Sequence, residues 1–120
     1  MRTIIAGSRE GVCMADLEKA MESCGWTPTV VISGDAPGVD KLGEEWADAR
    51  GIAIERFRAD WTRLKRAAGP IRNGQMADAA EALVGVWDGS SPGTKDMIQK
   101  ARKRGLRVHL HIVGEVGFGF

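Results

Sequence analysis

Five short, mostly apolar runs punctuate the chain: RTIIA (2–6), TVVIS (29–33), IAIERF (52–57), ALVGVW (82–87) and LRVHLHI (106–112). Runs of this length, bounded by glycine, proline or charge, predict strands, and apolar runs without alternation predict strands buried on both faces. Between them the apolar spacing becomes helical. Met14, Leu17, Met21 and Cys24 share one face, Val39, Leu42 and Trp46 a second, and Thr94, Met97, Ile98 and Ala101 a third. Residues 68–80 are also expected to be helical, with Pro70 tolerated in the first turn. Strand and helix alternating in this way predict an α/β, Rossmann-like fold: a mainly parallel five-stranded sheet with helices on both faces. With right-handed crossovers the expected strand order is 3-2-1-4-5, which sets the first and fourth strands side by side at the switch point. Residues 1–113 form this one domain, and GEVGFGF (114–120), with three glycines, is expected to be an irregular tail.

Ligands of such sheets lie in the crevice at the carboxyl ends of the strands, so the loops that open there become the candidate site. The loop after the fourth strand is DGSSPGT (88–94). Ser91 can cap a helix that begins at Pro92 and ends in Lys100, Arg102, Lys103 and Arg104 before Gly105. Gly89, Gly93 and the hydroxyls of Ser90, Ser91 and Thr94 then surround free amides at a helix start, an arrangement that suits a phosphate as well as an ordinary capped turn. A second loop, SGDAPGVD (33–40), turns through Gly34 and Gly38, and its Asp35 and Asp40 read as turn and helix-cap carboxylates. Arg9 follows the first strand into the same crevice and Arg72 begins the helix leading to the fourth; arginine matches a phosphate or carboxylate in two-point geometry. Trp61 lies on the connection 58–69, either closing over a ligand or plugging the loop from beneath, while Trp26, Trp46 and Trp87 read as packing residues.

Composition and charge narrow the classes without choosing among them. A formal net charge of +1 over 120 residues supplies no electrostatic reason for nucleic acid or an acidic membrane as the main partner. No apolar stretch reaches the length of a membrane span or a signal peptide, so a cytoplasmic protein is expected. Cys13 and Cys24 form no CxxC pattern and, with His109 and His111, no metal-ligand spacing; both thiols are expected to be reduced and buried. No motif calls for a cofactor or a metal. Neither GxGxxG nor GxxxxGK[ST] is present.

AGSRE, VISGDAPGVDKLGEEWA, DW, AAGPIRNGQMAD, ALVGVWDGSSPGTKDMI and ARKRGLRV together resemble the small stand-alone, YspA-like branch of the SLOG superfamily, over nearly the whole chain up to about Val108. The resemblance implies a Rossmann-like domain that binds a nucleotide or nucleotide-derived ligand and assembles as a homo-oligomer, a dimer or larger. More distantly, IRNGQM and DGSSPGTKDM are similar to the arginine-helix and PGGxGTxxE patterns of the lonely-guy phosphoribohydrolases, which places Arg72, Gly93 and Thr94 on functional positions. The catalytic glutamate of those hydrolases falls on Met97 here, and Asp96 stands one residue earlier, about 100° around a helix. A thioether cannot supply the carboxylate that N-glycosidic cleavage requires, so binding for sensing or sequestration is the leading expectation. The alternative is a nucleoside 5′-monophosphate phosphoribohydrolase with Asp96 and Arg72 as its catalytic residues, Asp88 being the other carboxylate in reach. The 33–40 loop is also similar to that of the DNA-processing protein A family, which makes single-stranded DNA binding a third reading. For the leading reading the expected ligand contacts are phosphate on residues 89–94, Arg72 and Arg9 as counter-charges, and base and ribose toward Gly7, Ser8, Gly34 and Asp35.

Overall fold

The computed structural model describes residues 1–114. Its five strands are β1 (Arg2–Gly7), β2 (Val30–Ser33), β3 (Ala53–Arg56), β4 (Ala82–Trp87) and β5 (Arg107–Ile112). All pair in parallel, in the order β3-β2-β1-β4-β5, the order that the alternation predicted. The helices are α1 (Met14–Ser23), α2 (Val39–Ala49), α3 (Trp61–Leu64), α4 (Ala68–Ala79) and α5 (Pro92–Lys103). Beyond Gly114, the expected irregular tail falls outside the described residues.

The continuous apolar runs of β1 and β4 follow from burial on both faces. Ile5, Val84 and Val86 point to the side where Leu17 and Met21 of α1 and Val39 and Trp46 of α2 pack. Ile4, Ala6 and Leu83 point to the other, against Met76 of α4 and Met97 and Ile98 of α5. The chain therefore leaves β1 toward one face and β4 toward the opposite face, and a crevice opens between them.

Two local expectations are corrected. The connection 58–69 carries α3, a single turn whose N-cap Asp60 accepts a hydrogen bond from the Arg63 amide at 3.2 Å, followed by a 3₁₀ turn over Lys65–Ala67. One turn contains no apolar period, so spacing could not reveal it. Cys13, expected to be buried with Cys24, is exposed: it is the N-cap of α1, where its amide donates to Asp16 Oδ2 at 3.0 Å.

Candidate functional site

A cavity of about 640 Å³ occupies the crevice at the carboxyl ends of β1 and β4. Gly7 and Arg9 contribute to its wall from the first loop, Arg72 from α4, and Gly93 and Thr94 from the start of α5. A smaller cavity of about 440 Å³ adjoins it and shares Arg9, Ala36, Trp61 and Arg72 with it. The volume of the larger one is ordinary for a small-molecule site.

Arg72 dominates this wall. It is only 9% exposed, and its Nη1 donates to the Gly34 carbonyl at 2.5 Å while Nε donates to Asn73 Oδ1 at 3.1 Å. Among the described residues its Nη2 makes no hydrogen bond and no carboxylate lies within 4 Å of the guanidinium. Burial pushes its pKa below the usual arginine value, opposed by the charge of Asp40, and a guanidinium remains cationic across accessible pH. A buried cation with an open donor edge is an anion-binding group by its own chemistry. Arg72 also has a structural task that the sequence did not show, because it pins the β2–α2 loop through Gly34.

That loop explains the neighbouring glycines. A Cβ on Gly34 would lie 2.8 Å from Asp40 Oδ2 and 2.9 Å from Arg72 Nη1, so a side chain there would displace the carboxylate and the guanidinium from their present positions. Gly38 has φ of +83°, and a Cβ on it would collide with the backbone of Ser8 and Arg9. The two loops are thereby in contact, joined by the Val39 amide donating to the Ser8 carbonyl at 3.1 Å.

Asp40, expected to be a simple cap carboxylate, sits at the start of α2 but is 6% exposed and faces the cavity. Burial raises its pKa to about 6, against the lowering effects of the Ala36 amide, which donates to Oδ2 at 3.2 Å, and of Arg72. Desolvation thus outweighs both favourable partners.

Two other wall carboxylates, Asp88 and Asp96, are engaged, whereas the exposed Glu10 makes no hydrogen bond or ion pair among the described residues. Asp88 Oδ1 accepts the amides of Ser90 and Ser91, each at 2.8 Å, and Oδ2 accepts the Ser91 hydroxyl at 2.7 Å. These bonds, led by the Ser91 amide, hold its pKa down at about 2. Asp96 does line the cavity, but Lys100 Nζ donates to it at 2.6 Å and Asn73 Nδ2 at 2.9 Å. Met97, where related hydrolases carry glutamate, is 1% exposed and packs with Met76 and Ile98.

The structure therefore brings together Gly7, Arg9, Arg72, Ser91, Gly93, Thr94 and Asp96 at the larger cavity, and Arg9, Gly34, Asp35 and Arg72 at the smaller. It separates three expected contacts, Gly89, Ser90 and Ser8, from both cavities. Gly89 and Ser90 are exposed and line neither cavity, and the Ser90 amide is occupied by Asp88. Ser8 is 1% exposed and clasps the two loops, its Oγ accepting the Asp88 amide at 3.0 Å. Asp35 is left-handed with φ of +58°, and its carboxylate accepts Lys41 and Arg58, which lower its pKa. The free donors on α5 are the amides of Gly93 and Thr94, which have no partner among the described residues. Asn73, Asp40 and Glu10 are polar wall residues that the sequence did not assign to a ligand. The DGSS sequence itself signals the Asx turn at Asp88, which decides where the free amides lie.

A sequence profile of the YspA, cpYpsA-related SLOG family (YAcAr) matches residues 1–64, more than half of the 120-residue chain. The chain belongs to this family. The matched segment carries Arg9, Gly34, Asp40 and Trp61, whereas Arg72, Gly93 and Thr94 lie beyond it, on the second half of the same crevice. Comparison with curated proteins finds no match. Among the described residues no helix is long and apolar enough to cross a membrane.

Proposed function

We propose that this SLOG protein binds a nucleotide or nucleotide-derived anion in the β1/β4 crevice and serves in sensing or sequestration. The observation that carries the reading is that buried Arg72, whose Nη2 has no hydrogen-bond partner among the described residues, lines one cavity with Gly93 and Thr94, whose amides are also unpartnered. A phosphate there meets a fixed cation and the positive end of the 12-residue helix α5 together. Arg9 is placed to add a second, exposed counter-charge. A cytoplasmic location and assembly into a homo-oligomer belong to the same proposal; sedimentation at several protein concentrations tests the latter.

Hydrolysis of the N-glycosidic bond is the second reading, and Asp40 is what favours it. Asp88 and Asp96 are held by their own partners, while Asp40 faces the cavity with a pKa near the range in which a carboxyl exchanges protons at neutral pH. An equilibrium titration with the four 5′-mononucleotides, followed by chromatography of the incubated mixtures, separates the readings. Saturable binding with the nucleotide recovered intact is the expected outcome. Stoichiometric release of free base identifies an enzyme, and loss of that release in Asp40→Asn but not Asp96→Asn identifies its carboxylate. Binding only to oligonucleotides, with steep salt dependence, points to nucleic acid instead.

A further inference from the structure

Trp61 is the large apolar side chain of the crevice wall that stays half exposed. It is 50% exposed, and no residue of α3 is buried, which excludes the plug beneath the loop. A lone exposed indole is unremarkable on a protein surface; its position is what matters. Trp61 lies in the wall shared by the two adjoining cavities, together with Arg72. The indole edge and Arg72 Nη2 approach one spot: a Cβ on Gly69 would lie 3.3 Å from Trp61 Cη2 and 4.0 Å from Nη2.

The other tryptophans are engaged. Arg50 covers the ring of Trp46 at 4.4 Å and Arg107 that of Trp26 at 4.8 Å, while Trp87 Nε1 donates to the Ser91 carbonyl at 3.2 Å. Among the described residues, Trp61 has no cation over its ring and its Nε1 has no hydrogen bond.

We propose that Trp61 is the platform on which the aromatic ring of the ligand stacks, so that the crevice selects an anion carrying a heteroaromatic base over a sugar phosphate. The inference rests on the nucleotide reading above and deepens it. It moves the base from the expected Ser8 and Asp35 positions, which the protein's own hydrogen bonds occupy, to the indole beside the anion-binding arginine. Stacking on an indole tolerates every base but favours purines, whose π surface is larger.

The test compares the four 5′-mononucleotides with ribose 5-phosphate by calorimetry on wild type, Trp61→Ala and Trp61→Phe, with tryptophan emission recorded in parallel. The inference predicts quenching of wild-type emission by AMP and GMP and loss of most of that quench in Trp61→Phe. It also predicts about a tenfold or larger loss of purine nucleotide affinity in Trp61→Ala, with the smaller affinity for ribose 5-phosphate unchanged. Nucleotide affinity that survives Trp61→Ala unaltered overturns the stacking role and leaves the crevice reading standing. An equal loss for nucleotide and sugar phosphate also overturns it, since the indole would then shape the anion site rather than hold a base. Absence of saturable binding by all four nucleotides overturns the inference and the reading beneath it together.

Discussion

Replacing Arg72 with alanine should lower the affinity for the tightest-binding 5′-mononucleotide by about 10- to 150-fold, the equivalent of about 1.5–3 kcal/mol for a charge-assisted hydrogen bond. The buried guanidinium brings its charge to the cavity without further desolvation, so little of the interaction is screened by solvent. The same substitution should also lower the thermal midpoint. It leaves the Gly34 carbonyl and Asn73 Oδ1 without the donors they have now and takes from Asp40 its largest favourable charge partner. Loss of one buried partner of this kind costs about 1–3 kcal/mol. Calorimetric titration well below the midpoint keeps the two effects apart. Arg72→Lys should retain the charge but not the fork, and fall between wild type and alanine in affinity. Unchanged affinity in a folded Arg72→Ala protein would remove Arg72 from the site and leave it a purely structural residue.

Asp40→Asn should make the protein more stable at pH 8 than wild type, and the gain should vanish toward pH 4. The folded pKa, about 6, lies above the ordinary carboxyl value of 3.8, so burial penalises the ionised form. A folded pKa raised in this way favours the folded state fully below pH 4, where Asp40 is protonated whether folded or not, and that favour is lost as pH rises through about 6. The shift of about two units corresponds to about 3 kcal/mol across the window. In a chain of this size that is about 10 °C in midpoint. Asparagine keeps an oxygen to accept the Ala36 amide, so the neutral form is mimicked without opening the loop. Thermal unfolding of both proteins at matched pH values checks this, because every other titrating group is common to the pair. A stability difference that does not vary between pH 4 and pH 8 would mean that Asp40 is ionised at little cost and that its environment is wetter than the packing shows.

The strands were legible because parallel strands covered on both faces must be apolar almost throughout, as IIA of β1 and LVGV of β4 are. Their order followed from connection rules rather than from any residue. Helix α5 was legible from both ends: Pro92 opens it and Gly105, with φ of +75°, follows its end. What escaped is tertiary. Ser91 caps α5 with its backbone position alone, because its hydroxyl goes to Asp88 and its amide is taken by the same carboxylate. Asp40 reads as a turn residue until two loops and a buried arginine enclose it, and desolvation of this kind has no signature in local sequence. Arg72 could be placed at the crevice by motif, but its bond to Gly34 spans 38 positions of chain. Of the two expectations for Trp61, its half-exposed indole excludes the plug, because α3 is too short to bury anything beneath it.

The central claim is that an anionic nucleotide lies in the crevice between β1 and β4. Its most direct test is a titration of ¹⁵N-labelled protein with the four 5′-mononucleotides, followed by amide and arginine Nε resonances. Saturable shifts should concentrate on Gly93, Thr94, Gly7 and Ala36 and on Arg72 Nε, leaving the outer edges at β3 and β5 unmoved. Shifts confined to those edges, or none at millimolar nucleotide, would contradict it.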